Sequence, residues 1–199
     1  FEGLPTDPTQ LPVAIVVTAV NCIEDGVTSN GVMRMSELVF EDARMGASIS
    51  FDAFSVVDPV EGIDSTLKGV TTFLIETTAT TEKLVFGVTN LEVKEGSEMT
   101  QIPRLETVVE TNLSTQESKT SLSGSVQTPE GLVDLVTEQP FVAIGEANPT
   151  AGRLKIAGEL SSVTLVPSLD GVNVDLHVDN DDVDPAVDVV IPATWEELG

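Results

Sequence analysis

Apolar and polar residues alternate along most of the chain, and this period of two predicts β-strands. In GVNVDLHVD (171–179), every second residue from Val172 to Val178 is aliphatic and the residues between them are polar. A period of two is typical of strands with one buried face and one exposed face. By the same pattern, ASISFDAFSVV (47–57) places one set of residues on one face: Ile49, Phe51, Ala53, Ser55 and Val57.

Short turn sequences separate these alternating runs. The clearest are EDG (24–26), SNG (29–31), PEG (129–131), AGE (157–159) and LDG (169–171). Connections this short favour antiparallel hairpins, because a parallel crossover needs a dozen or more residues. AGELSS and LDGVN are both predicted to form tight hairpins. The sequence therefore predicts an all-β fold, an antiparallel β-sandwich or barrel of about 11–12 strands in hairpin or meander connection.

Three segments depart from simple alternation. MSELVFEDARM (35–45) is compatible with a helix or a strand, and TWEEL (194–198) is a candidate C-terminal helix. KEGSEMTQIPRLE (94–106) is the most polar interior segment, so it is a candidate seam between two sub-lobes. We otherwise expect residues 1–199 to form a single β domain, in which residues 1–20 are an extended arm followed by an apolar first strand.

The first strand is predicted within LPVAIVVTAV (11–20), which is apolar almost throughout. Continuous apolarity favours a strand buried on both faces, whereas the first strand of a meander normally lies at an edge. Two arrangements resolve this conflict: the strand is inserted centrally in its own sheet, or it completes the sheet of a neighbouring subunit. The second arrangement generates a head-to-tail chain. Its candidate assembly residues are Leu11, Val13, Ile15 and Val17.

Charge narrows the range of partners. The chain has 33 Asp and Glu against 9 Lys and Arg, which gives a formal net charge of −24. Such a surface repels nucleic acid and anionic lipid and attracts cations. The longest apolar run, Leu11–Val20, is too short to span a bilayer as a helix. We therefore expect self-association, no nucleic-acid partner and no transmembrane segment.

Catalytic side chains are scarce, since the chain has one His, one Cys and no Tyr. Cys22 lies in the apolar run VTAVNC without a basic neighbour, so we expect a small buried hydrophobe rather than a reactive thiolate. A Ser-His-Asp triad would have to use His177, and no GxSxG motif precedes a serine. Carboxylates are too numerous for their spacing to indicate a glycosidase. We expect a protein that is not an enzyme.

The stretch HVDNDDVDPAVD (177–188) is the strongest candidate for a binding site. Carboxylates and carbonyls on a flexible loop are the ligands that Ca²⁺ takes. The spacing differs from an EF-hand, because Asp184 stands where that loop requires glycine. Two interpretations stay open, a Ca²⁺ site and a solvated acidic loop. The candidate metal ligands are Asp179, Asp181, Asp182, Asp184 and Asp188.

The C-terminal quarter, residues 149–198, carries a spaced pattern that ends in T-W-x-x-L. Its residues are Pro149, Gly152, Leu154, Ile156, Gly158, Ser162, Val163, Thr164, Leu165, Val174, Leu176, Val178, Asp179, Asp184, Asp188, Thr194, Trp195 and Leu198. This pattern resembles the end of a loose group of secreted or lipoprotein-like bacterial proteins, in which a D-G-D-G-like loop precedes T-W-x-x-L. Val183 and Pro185 depart from that loop. The resemblance implies export from a bacterial cell and an all-β fold.

The chain begins with Phe1 rather than Met, which we interpret as removal of a leader after export to the cell surface or the medium. The features above predict a non-enzymatic extracellular structural protein. It would be a self-assembling surface or filament subunit, joined by donor-strand pairing and stabilised by cations. The alternative is a cell-surface module that binds a ligand such as a glycan through a Ca²⁺-dependent acidic loop.

Overall fold

The structure is a computed structural model that describes residues 14–96, 98–128, 131–180 and 187–198. It contains twelve strands and one short helix, α1 (Trp195–Leu198). The strands are β1 (Ala14–Glu24), β2 (Val27–Glu41), β3 (Arg44–Asp58), β4 (Ile63–Thr77), β5 (Thr81–Glu95), β6 (Glu98–Asn112), β7 (Glu117–Thr128), β8 (Gly131–Ile144), β9 (Ala151–Ala157), β10 (Ser162–Pro167), β11 (Asn173–Asp179) and β12 (Val189–Thr194).

The strand order confirms the predicted all-β antiparallel meander. All twelve strands belong to one hydrogen-bonded sheet, and each lies beside the strands that precede and follow it in sequence. Within the described residues β1 and β12 do not pair with each other, so the barrel alternative is wrong. Hydrogen bonds between the described residues join the twelve strands into one sheet rather than two. Successive short hairpins explain this, because no long connection carries the chain to a second sheet.

The segments that departed from alternation are now assigned. MSELVFEDARM is strand on both sides of a turn, since it contains the end of β2 and the start of β3. TWEEL forms the predicted helix, α1. AGELSS closes the β9–β10 hairpin with a hydrogen bond of 2.8 Å from the Gly158 N–H to the Ser161 carbonyl. LDGVN connects β10 to β11, so both predicted hairpins are confirmed.

Contacts divide the chain into two units. Unit 1 comprises Phe1–Glu76 and Val85–Arg104, and unit 2 comprises Thr77–Leu84 and Leu105–Gly199. One division falls between Arg104 and Leu105, inside the segment 94–106 that the sequence marks as a seam.

Unit 1 has one apolar face. On this face, residues that lie opposite each other on neighbouring strands from β1 to β4 are both apolar. Ile15 lies opposite Met35, Met33 opposite Phe51, and Ala47 opposite Phe73. The residues between them in sequence form the other face, which is mostly polar. That polar face includes Arg34, Ser36, Ser48, Ser50, Asp52 and Thr72.

A β-bulge interrupts the alternation that the sequence suggests for β3. The register with β4 shifts between Phe51 and Phe54, and Ala53 takes a left-handed backbone conformation with φ of 48°. The extra residue moves Phe54 to the face of Phe51, where the two rings lie 6.4 Å apart. The prediction that Ala53, Ser55 and Val57 share the Phe51 face is therefore wrong. A bulge reverses the facing of every later residue in its strand.

Glycine permits close backbone approach near this bulge. Gly69 pairs with Phe51 and has φ of +134°, a conformation that other residues rarely adopt. A Cβ atom at Gly69 would lie 2.6 Å from the Leu91 Cα and would overlap the Asn90 carbonyl oxygen. The contact between β4 and β5 thus depends on the missing side chain.

We predict that Gly69→Ala lowers the free energy of unfolding by about 3 kcal/mol, because strained φ and backbone overlap act together. Gly62→Ala is the control, since Gly62 has φ of +72° but open space around its Cα. That control should cost only about 1 kcal/mol. Urea titration followed by circular dichroism measures both. Equal losses for the two variants would contradict the close approach at Gly69.

Unit 2 has a second apolar face, formed by alternate residues of β8 to β12. Val174 lies at its centre and is 0% exposed, and Leu154 is also buried. The other face is polar and holds Asp134, Lys155, Thr164 and His177. The apolar face consists of Val133, Leu135, Leu154, Ile156, Val163, Leu165, Val174, Leu176, Val178, Val189 and Ile191. The alternation predicted for residues 173–179 is confirmed.

An aspartate organises the turn between β10 and β11. Asp170 Oδ1 accepts hydrogen bonds of 2.9 Å from the backbone N–H groups of Val172 and Asn173. Asp170 Oδ2 accepts one of 2.6 Å from the Asn173 side chain. These bonds, the Asn173 backbone bond first among them, favour the charged carboxylate and hold the pKa of Asp170 below its usual value.

This lowered pKa predicts a pH-dependent contribution to stability. The ordinary value is 3.8 and the folded value lies below it, so the contribution is present above about pH 4 and is lost as the pH falls further. Asp170→Ala should therefore lower the melting temperature at pH 7 and lower it progressively less in more acid buffer. Asp170→Asn, which keeps an acceptor oxygen, should lose less. A melting difference that stays constant down to about pH 2 would contradict this role.

Candidate functional site

The first edge of the sheet is β1, in unit 1. Its described neighbour is β2, with which it pairs from Ala14 opposite Ser36 to Glu24 opposite Val27. The hairpin turn is Asp25–Gly26, whose φ values of 50° and 90° fit a type I′ turn. Since β1 stands at the end of the strand order, the first of the two alternatives, central insertion in its own sheet, is wrong.

The two faces of β1 differ in exposure. Ile15 and Val17 are half-buried on the apolar face of unit 1. On the other face Val16 is 48% exposed and Val20 is 75% exposed. The prediction that the strand is buried on both faces is therefore wrong for residues 14–20 of the single chain, because no described element covers the second face. Leu11 and Val13, the other two predicted assembly residues, lie outside the described residues.

Cys22 is exposed, so the prediction of a buried thiol is wrong. The register between β1 and β2 shifts between Ala19 and Cys22. This shift lies within three residues of the hairpin turn, where the adjacent Ile23 is 70% exposed. The apolar composition of the run predicted burial, but burial requires a covering layer that the end of a hairpin lacks.

From Ala14 to Ala19, the outer edge of β1 carries none of the features that protect sheet edges, and the register shift between Ala19 and Cys22 is the one irregularity in its pairing with β2. Natural edge strands use charged side chains, proline or bulges to prevent pairing with other strands. Residues 14–23 contain no charge and no proline. Only Asn21 is diverted, since its N–H donates to Asn30 Oδ1 at 2.6 Å next to the register shift. Alternate residues of 14–20 therefore present their backbone groups outward.

The other edge, β12 in unit 2, is protected. The Trp195 N–H donates to the carbonyl of the opposite residue, Val172, at 3.1 Å. Bonded and outward-facing pairs alternate in an antiparallel ladder, so Val190, Pro192 and Thr194 face outward. Pro192 has no N–H. The Thr194 N–H donates instead to Glu197 Oε2 at 2.8 Å.

Thr194 and Glu197 form a capping box at the start of α1. The Glu197 N–H donates back to Thr194 Oγ1 at 3.3 Å, so the side chain of each residue accepts a hydrogen bond from the backbone N–H of the other. As a result, Val190 is the one of these three outward positions whose N–H is neither missing nor bonded to α1. The sequence signal was available, because T-x-x-E after a proline marks a helix start and the end of a strand.

Two of the five predicted metal ligands, Asp179 and Asp188, lie within the described residues, at the ends of β11 and β12 that pair with each other. Asp179 ends β11, and Asp188 precedes β12, so the two acids flank the paired residues Val178 and Val189. Asp188 Oδ2 accepts a hydrogen bond of 2.8 Å from the Asn180 N–H. The other three candidates, Asp181, Asp182 and Asp184, lie outside the described residues. Among residues that the structure describes, no group of three His, Cys, Asp or Glu side chains is arranged to hold a metal.

The described residues of unit 2 line at least two cavities that sequence reasoning missed. One, of about 610 Å³, is formed at the ends of the β7–β8 and β9–β10 hairpins and includes Asp134, Glu159 and Ser162. Ser162 is the register partner of Asp179, so this cavity lies next to the acidic hairpin. The other, of about 590 Å³, lies between Leu165 and α1.

Comparison with family models, curated proteins and solved structures finds no match to this chain. The resemblance of the C-terminal quarter to secreted bacterial proteins therefore stays a prediction. No helix within the described part of the chain is long and apolar enough to cross a membrane.

Calcium binding at the acidic hairpin remains a prediction with a direct test. A ligand that binds only the folded state stabilises it by about 2.7 kcal/mol at a hundred times its Kd. Millimolar Ca²⁺ should therefore raise the melting temperature, and Asp181→Asn combined with Asp184→Asn should abolish the rise. Asp52→Asn combined with Asp64→Asn is a control with the same change of charge, since both side chains are exposed in unit 1, away from this hairpin. Identical melting curves with Ca²⁺ and with EDTA would contradict the Ca²⁺ site and leave only the interpretation of a solvated acidic loop.

Proposed function

We propose that this protein is a non-enzymatic structural subunit that acts outside the cytoplasm and associates with copies of itself through β1. The observation that carries the proposal is the unprotected edge at residues 14–20, an uncharged strand with exposed Val16 and Val20. Unpaired backbone groups beside exposed aliphatic side chains are the features by which one sheet adds a strand from another chain.

The placement of the chemistry-bearing side chains supports a structural role over an enzymatic one. His177 lies on the polar face of unit 2, opposite Thr164 in β10 and Val190 in β12. Cys22 lies at the β1 edge, and β1 contains no basic residue. The hydroxyl-bearing residue opposite His177 is Thr164, which is buried and only 7% exposed, so a substrate has little access to it.

Charge explains why contact at β1 is favourable for a chain that otherwise repels itself. With a net charge of −24, two copies repel each other at most points of their surfaces. Residues 14–23 carry no charge. Across the hairpin, residues 31–36 of β2 carry one charge, the cation of Arg34. Salt screens the remaining repulsion, so association should strengthen as ionic strength rises.

We predict that the protein forms species larger than a monomer at high concentration in moderate salt, measured by size-exclusion chromatography with light scattering. Val16→Lys combined with Val20→Lys should return it to a monomer, because two charges protect the edge. Val60→Lys combined with Leu160→Lys is the matched control, since both side chains are exposed in loops. A wild-type protein that stays monomeric at every concentration and salt level would refute the proposal.

A second candidate function is a cell-surface module that binds a ligand such as a glycan beside a Ca²⁺-loaded hairpin. The observation that favours it is the position of the 610 Å³ cavity, whose Ser162 pairs with Asp179 of the acidic hairpin. This function becomes the leading one if the protein is a monomer and the calcium titration gives a melting shift.

A further inference from the structure

We infer that two copies of this protein pair β1 against β1 about a two-fold axis, which gives a closed dimer instead of a head-to-tail filament. This inference rests on the proposed function, because it assumes that β1 is the associating strand. It specifies the partner surface and the symmetry, which the proposed function leaves open.

The first reason is that β12 makes a poor partner strand. A head-to-tail chain would place β1 of one copy beside β12 of the next. Of the three outward positions of β12, Pro192 has no donor and the Thr194 N–H is already bonded to Glu197. A strand docked there would receive one donor, from Val190. Most of the β12 groups facing the docked strand would be carbonyl oxygens, which cannot accept hydrogen bonds from that strand's own carbonyl groups.

The second reason is that β1 is complementary to itself. An antiparallel pair exchanges N–H and C=O groups reciprocally, so a strand with free donors and acceptors in equal number can pair with its own copy. Residues 14–20 contain no proline, and in an antiparallel ladder alternate residues of an edge strand point both groups away from their single partner strand. Pairing ends at Asn21, where the N–H is diverted to Asn30 and the register shifts.

The third reason is electrostatic. Each copy carries a net charge of −24, so a stable contact has to exclude carboxylates. In a β1–β1 pair, the strands in contact are uncharged from Ala14 to Ile23, and the adjacent strand contributes Arg34 beside Val16. Strand β12 is also uncharged but is only six residues long, and the hairpin with Asp179 and Asp188 adjoins it directly. Another acidic chain would approach carboxylates there.

The two-fold symmetry has a geometric consequence. Opposite residues in an antiparallel pair project from the same face of the sheet. A two-fold axis that continues the sheet is perpendicular to it, so one residue of β1 must lie opposite its own copy. Cα atoms of opposite residues are about 4.5–5.5 Å apart, within the range that a disulfide spans. The residues on either side of the axis are too far from their own copies to be bridged.

A cysteine scan tests this arrangement. In the Cys22→Ser background, single cysteines replace each residue from Ala14 to Val20 in turn, and diamide oxidises the thiols. We expect a disulfide-linked dimer at one position, with yield falling at least several-fold at the positions on either side. Val60→Cys in the same background, an exposed loop position, reports collisional cross-linking.

The outcomes separate this inference from the proposed function. A dimer mass in solution together with a single cross-linking maximum supports both. Open-ended polymers overturn the two-fold pairing if no single cysteine cross-links and a Val16→Cys, Val190→Cys double variant gives a ladder of covalent oligomers. Self-association through β1 would then still stand. A monomer at all concentrations, with cross-linking no greater than at Val60→Cys, overturns both.

Discussion

The backbone hydrogen bonds of an open sheet are the constraint on which the rest of this structure depends. Each inner strand shares its N–H and C=O groups with two neighbours, whereas β1 and β12 each pair with one strand in the described chain. Unshared groups at an edge attract another strand unless something prevents it. A meander that does not close must therefore protect its edges or use them, and this chain treats its two edges differently.

The segment that follows Ile191 shows how one edge is closed within a few residues. Proline inside a sheet would cost a ladder bond, and it is tolerated where its nitrogen faces outward at an edge. Pro192 occupies such a position, and Thr194 and Glu197 satisfy each other as β12 ends and α1 begins. The same residues thus terminate the strand, start the helix and remove donors from the edge. Residues 14–20 of β1 have no comparable device.

Local patterns predicted most strands and hairpins of this chain, because a period of two and a turn sequence are properties of neighbouring residues. The turn predicted at SNG (29–31) is wrong, since these residues lie within β2. The bulge at Ala53 could not be predicted in this way. It brings the β3 backbone so close to Gly31 that a Cβ there would lie 2.6 Å from the Phe54 Cα. That approach is between the backbones of two neighbouring strands, β2 and β3, and is not a property of residues adjacent in sequence. The burial of Cys22 was wrongly predicted for a related reason. An apolar run favours burial, but burial also needs a neighbouring layer that covers the run.

The two edges of the sheet also differ in how far local sequence patterns predict them. The protection of β12 was readable from Pro192 and the T-x-x-E capping sequence, both of which are local. The exposure of β1 was not, because the continuous apolarity of residues 11–20 is equally typical of a central strand. Only the strand order distinguishes the two positions, and strand order is a property of the whole sheet.

Charge and edge pairing act on different length scales in this protein. The net charge of −24 opposes every approach of two copies, and salt screens that repulsion over about 10 Å at 0.1 M. Backbone hydrogen bonds act only between groups in direct contact. Residues 14–23 of β1 carry no charge, so two copies repel each other least when they meet there. A cation held by the acidic hairpin of unit 2 would reduce the net charge without contacting β1. Cation binding and self-association are then linked through charge alone, so each should strengthen the other although the two sites share no residue.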